Sequence, residues 1–406
     1  MKTRRTISRF WWAPLTLLFL FGGAIQYLGL LTQTQTNVLV LALLLPVLPV
    51  KKALLEWRKE AVLFVFIAYM AILQLIHASP ISYSATYVYY IACTIFAAVA
   101  GRAFCKPFLK RYSHEAYFRY AQYFLVLQVV VTTIQRFMAA EFVSGAHVHI
   151  GTIDAVFGTM YLQSDASLCV ICLLITISFF SANASWRKKL MVTALSGVVV
   201  LNTNSSAGHI AYLSVVPFLL LSKLLNTRSE RMAPFIVAGC GMGAAAIFYT
   251  LYNFDYIVAP FIHSLSTAFS TRYEYATADR LAPLGQMLSQ DISFIGHGAL
   301  TYYNPITKTW LYNAGFSTLY SLYIDAGLVA VMLYAIYYVK RISNFSAGLY
   351  FSVLIGICLT AYSMFNFTLS DLAFVFTLNF ILQLQATKRA EFSVLVAHGH
   401  LRQRSV

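Results

Sequence analysis

Apolar residues in this chain come in blocks of roughly 15 to 27 positions, set apart by short clusters of Lys and Arg. An α-helix needs about 20 apolar residues to cross the ~30 Å hydrocarbon core of a bilayer. In lipid every backbone N–H and C=O must be satisfied within the protein, so repeated blocks of this length fold as helices. Composition agrees: 59% of the residues are hydrophobic and 11% charged, against about 25% charged in a soluble domain. The pattern excludes a soluble enzyme, a secreted disulfide scaffold and a nucleic-acid binder, because the basic residues are parcelled out between apolar spans rather than gathered on one face. The fold class expected is an all-α polytopic integral membrane protein, one membrane-embedded domain over 1–406.

The blocks predict twelve spans, near 11–31, 36–50, 61–77, 83–100, 117–134, 166–182, 190–202, 209–225, 232–252, 313–339, 346–366 and 371–386. With the basic N-terminus (Lys2, Arg4, Arg5, Arg9) inside, both termini are cytoplasmic and alternate loops face outward. On that arrangement 25 of the 29 Lys and Arg fall inside, the last of them on a basic tail at 387–406. The net charge of +15 then records insertion topology rather than an anionic partner in solution. A missed span would invert every later loop and destroy the asymmetry. Phe10 to Leu31 is too long for a signal-peptide core and lacks a small-residue cleavage site, which predicts a retained first helix.

All six cysteines fall in spans or in a cytoplasmic loop, so no structural disulfide is expected. Cys169 and Cys172 form a CxxC inside an apolar helix with no second ligand pair, and His147-Val148-His149 has no metal-site spacing with carboxylates. No metal or cofactor is expected.

Two outward segments are long enough to hold chemistry, Arg136 to Asp165 and about 253–312. The second reads as a folded lid with short helices near 258–270 and 277–290. The four outward cations are Arg136, Arg272, Arg280 and Lys308. Arg272 with Glu274 and Arg280 with Asp279 fit ordinary surface pairs, each contributing about 0–1 kcal/mol. They equally fit an anion site, since a guanidinium presents a fork of donors matched to phosphate. Charged groups are almost absent from the spans, and Asp325 is the exception. An intramembrane carboxylate is either functional or a packing group satisfied by hydroxyls. The polar island Asn202 to His209, with Ser205 and His209, is either a cavity lining or a tight turn between two short helices.

Several motifs together resemble one family. They are Gly158-Thr159-Met160-Tyr161-Leu162-Gln163-Ser164-Asp165, the turn Thr203-Asn204-Ser205, Asp279-Arg280-Leu281-Ala282-Pro283-Leu284, Ile295-Gly296-His297-Gly298, and Tyr312-Asn313 leading into Asp325-x-Gly327. In that order the chain is similar to the bacterial O-antigen and exopolysaccharide polymerases (Wzy-like), which share an architecture with the O-antigen ligases. The resemblance implies an inner-membrane glycosyltransferase that joins undecaprenyl-diphosphate-linked oligosaccharide units at the outer face, without nucleotide sugar, cofactor or metal. A flippase and a chain-length regulator of the same pathway are the partners it implies, with no nucleic acid. It places Arg280, Arg272 and Arg136 on the diphosphate, where fixed cations stabilise the charge of the departing group. Lys308, His209, Ser205, Tyr312 and Asn313 fall to substrate binding. The general base stays open between His297, taken first, and Asp325. Two departures bear on this: Ser206 and Ala207 stand where many relatives carry Arg, and Tyr312 stands where many carry His. An O-antigen ligase is the nearest alternative. A lipid-linked oligosaccharide flippase is a second, weakened because no internal repeat is visible and the polarity is gathered in one outward loop.

Overall fold

The computed structural model describes residues 11–47, 57–77, 81–146, 156–160, 165–182, 184–203, 205–222, 294–296, 298, 302–304, 309–311, 317–343 and 348–403. The described residues are almost entirely helical. The helices are α1 (Trp12–Tyr27), α2 (Gln33–Leu44), α3 (Ala61–His77), α4 (Ile81–Arg111), α5 (His114–Phe137), the short α6 (Ala139–Ser144), α7 (Asp165–Ser181), α8 (Trp186–Asn202), α9 (Ser206–Leu221), α10 (Thr318–Ser343), α11 (Leu349–Phe365) and α12 (Leu372–Gln403). Helix therefore occupies eleven of the twelve expected blocks. The remaining block, 232–252, lies outside the described residues, as do the two short lid helices expected at 258–270 and 277–290.

Three helices are long and apolar enough to cross a membrane, Arg58–His77, Ser84–Arg111 and Thr318–Ser343. One small antiparallel hairpin accompanies the helices, β1 (Tyr302–Asn304) paired with β2 (Thr309–Leu311), with Tyr303 opposite Trp310 in the register. Short runs rich in Tyr, Trp and Thr favour strand, but three residues carry no readable period. The last helix, α12, runs on from the expected span through the basic tail as far as Gln403.

Local sequence explains several helix starts. Thr32 and Gln35 form a reciprocal capping box at α2. Ser113 caps α5 by accepting from the Ala116 N–H, and Ser205 caps α9 by accepting from Gly208. Helix α1 loosens into a π-turn over Leu17–Phe21, which frees backbone groups. The segment Val156 to Met160 answers them. The Thr159 hydroxyl donates to the Phe19 carbonyl at 2.6 Å and the Gly23 N–H donates to the Thr159 carbonyl at 3.3 Å. Gln128 and Gln135, two turns apart on one face of α5, hold the same segment by bonds to Thr159 and Gly158. Part of the first outward segment is thus a buried wedge, with Val156, Phe157 and Met160 all buried.

Side-chain pairs sort the helix ends into two sets. Lys188 at the start of α8 pairs with Glu115 at the start of α5, and Asn202 at the end of α8 donates to Thr132 and Thr133 late in α5, so these helices are parallel. Thr94 with Leu369, and Arg102 with Asn379, make α4 and α12 parallel. Tyr69 with Ala326, and Glu60 with Arg341, make α3 and α10 antiparallel. Among the described residues every Lys and Arg except Arg136 stands at or toward one end, the end where α4, α9, α10 and α12 finish. We call this the inner end and the opposite one the outer end.

At the inner end Glu60 receives both Arg102 of α4 and Arg341 of α10, while Arg102 also donates to Asn379 of α12 at 2.9 Å. Glu60 is 0% exposed and Arg102 5%. Buried charge thus stands just beyond the apolar blocks as well as at Asp325 within one. Glu60 and Arg341 border the apolar blocks and Arg102 lies just past one, so a linear count assigns all three to loops. Removing one partner from a buried ion pair costs about 3–5 kcal/mol, because the other is left uncompensated. The cluster ties α3, α4, α10 and α12 together at one level.

Candidate functional site at the break in helix α10

Helix α10 is two helices joined at Gly327, whose φ of 75° and ψ of −174° lie in a region that only glycine enters without strain. A break frees the N–H and C=O groups that would have paired across it. The segment Phe294 to Gly298 supplies the replacements. The Val329 N–H, which would bond the Asp325 carbonyl in a continuous helix, donates to the Phe294 carbonyl at 3.3 Å. The Asp325 carbonyl instead accepts from the Gly298 N–H at 2.9 Å. Tyr69 of α3 donates to the Ala326 carbonyl at 2.6 Å, and a ring nitrogen of His77 lies 3.4 Å from the Ile295 carbonyl.

Glycines permit this approach. A Cβ on Gly296 (φ 68°) would lie 2.5 Å from the backbone of Asp325 and Ala326, and one on Gly327 would collide with the Phe294 carbonyl. The two motifs Ile295-Gly296-His297-Gly298 and Asp325-x-Gly327, about thirty residues apart, therefore meet backbone to backbone. Asp325 is 4% exposed, and its Oδ2 accepts the Tyr87 hydroxyl of α4 at 2.5 Å. A charge-assisted O–H···O⁻ bond of this length is among the stronger ones available. Asp325 stands about two turns into α10, close to the outer end.

A second polar group sits where α8 turns into α9. His209, 3% exposed, places Nε2 at 2.9 Å from the Val200 carbonyl, and Tyr212 donates to Thr193, so the two helices form a tight antiparallel hairpin. Thr203 contacts Cys169 Sγ at 3.2 Å. Arg136 is exposed at the end of α5. The geometry here is that of a turn, with the Ser205 hydroxyl used as a helix cap.

Asp371, an outer acid to which the sequence reading assigned no role, caps α12. Its Oδ1 accepts from the Phe374 N–H at 2.9 Å, and its Oδ2 takes the hydroxyls of Ser167 and Tyr362, each at 2.5 Å. Beside it, Thr318, Tyr334 and Thr368 share hydroxyl bonds of 2.8–3.0 Å. The outer half of the bundle is thus stitched by buried hydroxyls.

Of the residues the sequence singles out, Asp325 belongs to the α10 break, Ser205 and His209 to the α8–α9 turn, and Arg136 to the exposed end of α5. His297, Arg272, Arg280, Lys308, Tyr312 and Asn313 lie outside the described residues. Both chain neighbours of His297, Gly296 and Gly298, are pinned against Asp325. Sequence reasoning missed Tyr87, Tyr69 and His77. The run Tyr87-Val88-Tyr89-Tyr90 was visible, but nothing in it tells which ring reaches a carboxylate. Among the described residues no three His, Cys, Asp or Glu gather as metal ligands. No protein-family model matches the chain, and no curated protein does.

Proposed function

We propose that this chain is a twelve-span protein of the bacterial inner membrane, with both termini cytoplasmic, that polymerises undecaprenyl-diphosphate-linked oligosaccharide units into a surface polysaccharide. The observation that carries the reading is the junction of Ile295-Gly296-x-Gly298 with Asp325-x-Gly327. Two motifs that carry the resemblance are in backbone contact, and they frame a buried carboxylate near the outer end. In this reading Arg280, Arg272 and Arg136 hold the donor diphosphate. Their charge stabilises the anion that leaves as the anomeric carbon–oxygen bond breaks. The acceptor sugar hydroxyl attacks that carbon and gives its proton to His297 or Asp325. Lys308, Tyr312 and Asn313 are assigned to the sugars of the substrate.

The flippase reading is disfavoured by the inner-end cluster, since Glu60, Arg102 and Arg341 tie four helices where a transporter has to open. A ligase carries out the same bond chemistry with a different acceptor. The polysaccharide ladder of a deletion strain separates these readings: a polymerase deletion leaves single-unit product, and a ligase deletion leaves unattached long chains. Complementation with Arg280→Ala is expected to give single units at the surface and no long chains. Accumulation of lipid-linked units on the cytoplasmic side alone would sink the polymerase reading in favour of the flippase.

A further inference from the structure

At the inner end, α1, α4, α5, α7 and α12 leave an elongated cavity of about 400 Å³ whose walls include Trp12, Phe19, Phe108, Tyr120, Phe124 and Phe380. Ring contacts prop α1 away from its neighbours at both ends of this gap. Trp12 meets Tyr120 edge-on at 6.4 Å at one end, and Phe19 meets Phe124 at 6.1 Å at the other. Stacked Phe376 and Phe380, with Phe104 against both, form the floor. Trp12 and Tyr120, 40% and 44% exposed, stand at its inner limit, amphipathic rings of the kind that settle at a membrane–water interface.

Charge surrounds the inner limit of this groove. Arg111 lies one turn beyond Phe108 on α4, over the Tyr112 ring at 5.4 Å, and Arg119 lies one turn before Tyr123 on α5. Glu115, one turn before Arg119, pairs with Lys188 of α8. A long apolar slot ending at an interfacial aromatic rim and a cluster of cations matches one ligand class: an acyl chain carrying an anionic headgroup.

We propose that this groove is a binding site for an anionic phospholipid of the inner leaflet, one acyl chain lying along the Phe104–Phe376–Phe380 floor and the phosphate facing Arg111 and Arg119. The site rests on the helices crossing a bilayer and is independent of which reaction the outer end performs. A prenyl chain fits it less well, because the diphosphate of an outward-facing donor belongs at the opposite end.

The full-length protein, delipidated in neutral detergent, tests the site. Dioleoyl phosphatidylglycerol is expected to raise the unfolding temperature by several degrees and to stay bound in native mass spectrometry, while dioleoyl phosphatidylcholine does neither. The double variant Arg111→Gln/Arg119→Gln, which alters only exposed side chains, is expected to weaken phosphatidylglycerol binding at least tenfold. Ala121→Leu, which fills the groove wall, is expected to weaken it with both arginines present. Equal stabilisation by phosphatidylcholine, unchanged binding in the double variant, or displacement of phosphatidylglycerol by undecaprenyl phosphate would each overturn the proposal.

Discussion

Asp325 shows how one residue's role depends on partners far away in sequence. A carboxylate in an apolar helix is costly unless its oxygens are satisfied, and here Tyr87, from a helix that begins more than two hundred residues earlier, donates to it. The bond orients the carboxylate without neutralising it. Asp325→Asn keeps the shape and removes the charge, so polymer formation in membranes is expected to be lost while immunoblots show normal amounts of protein. Tyr87→Phe removes one bond to a charged group, a contribution of about 1.5–3 kcal/mol. If that energy is used in the transition state, the polymer rate falls by roughly ten- to a hundredfold. An unchanged rate in both variants would reduce Asp325 to a packing residue. The carboxylate was legible in the sequence because it is conspicuous among apolar neighbours. Tyr87 was not, because one tyrosine among 27 carries no mark of its partner.

At the scale of elements, two breaks organise the outer half: the π-turn of α1, closed by Thr159, and the Gly327 break of α10, closed by Phe294 to Gly298. Both follow one rule: backbone leaves regular helix only where another segment takes over its hydrogen bonds. The seal at α10 has no room for a methyl group at Gly296. Gly296→Ala is therefore expected to lift the loop from α10 and abolish polymer, while the far-UV circular dichroism of the purified protein stays that of the parent. Wild-type polymer lengths from this variant would show that the seal is dispensable. The glycines could be read as turn residues from sequence, but which backbone they admit could not, since that needs the loop and the helix in one frame.

For the molecule as a whole, the open question is which set of helix ends faces the cytoplasm, and labelling from either side answers it. Among the described residues, cations gather at one end, and Asp165, Asp325, Asp371 and Arg136 lie at or toward the other. In a cysteine-free background, Arg119→Cys is expected to react with a membrane-impermeant maleimide only after the cells are opened. Met138→Cys, beyond the end of α5, is expected to react in cells whose outer membrane alone is permeabilised. The reverse pattern would invert the topology and move the candidate site to the cytoplasm.

The sequence by itself determined the helical class, the positions of the apolar blocks and the two-sided charge, because hydrophobic length and Lys/Arg bias are local quantities that any stretch of chain displays. It also singled out Asp325 and the two glycine motifs. Only the tertiary structure decided that those motifs touch, that Tyr87 holds the carboxylate, and that Glu60, Arg102 and Arg341 form a buried cluster rather than loop charge. These are pairings across tens to hundreds of residues. Their energy depends on distance and burial, which have no counterpart along a single strand of letters.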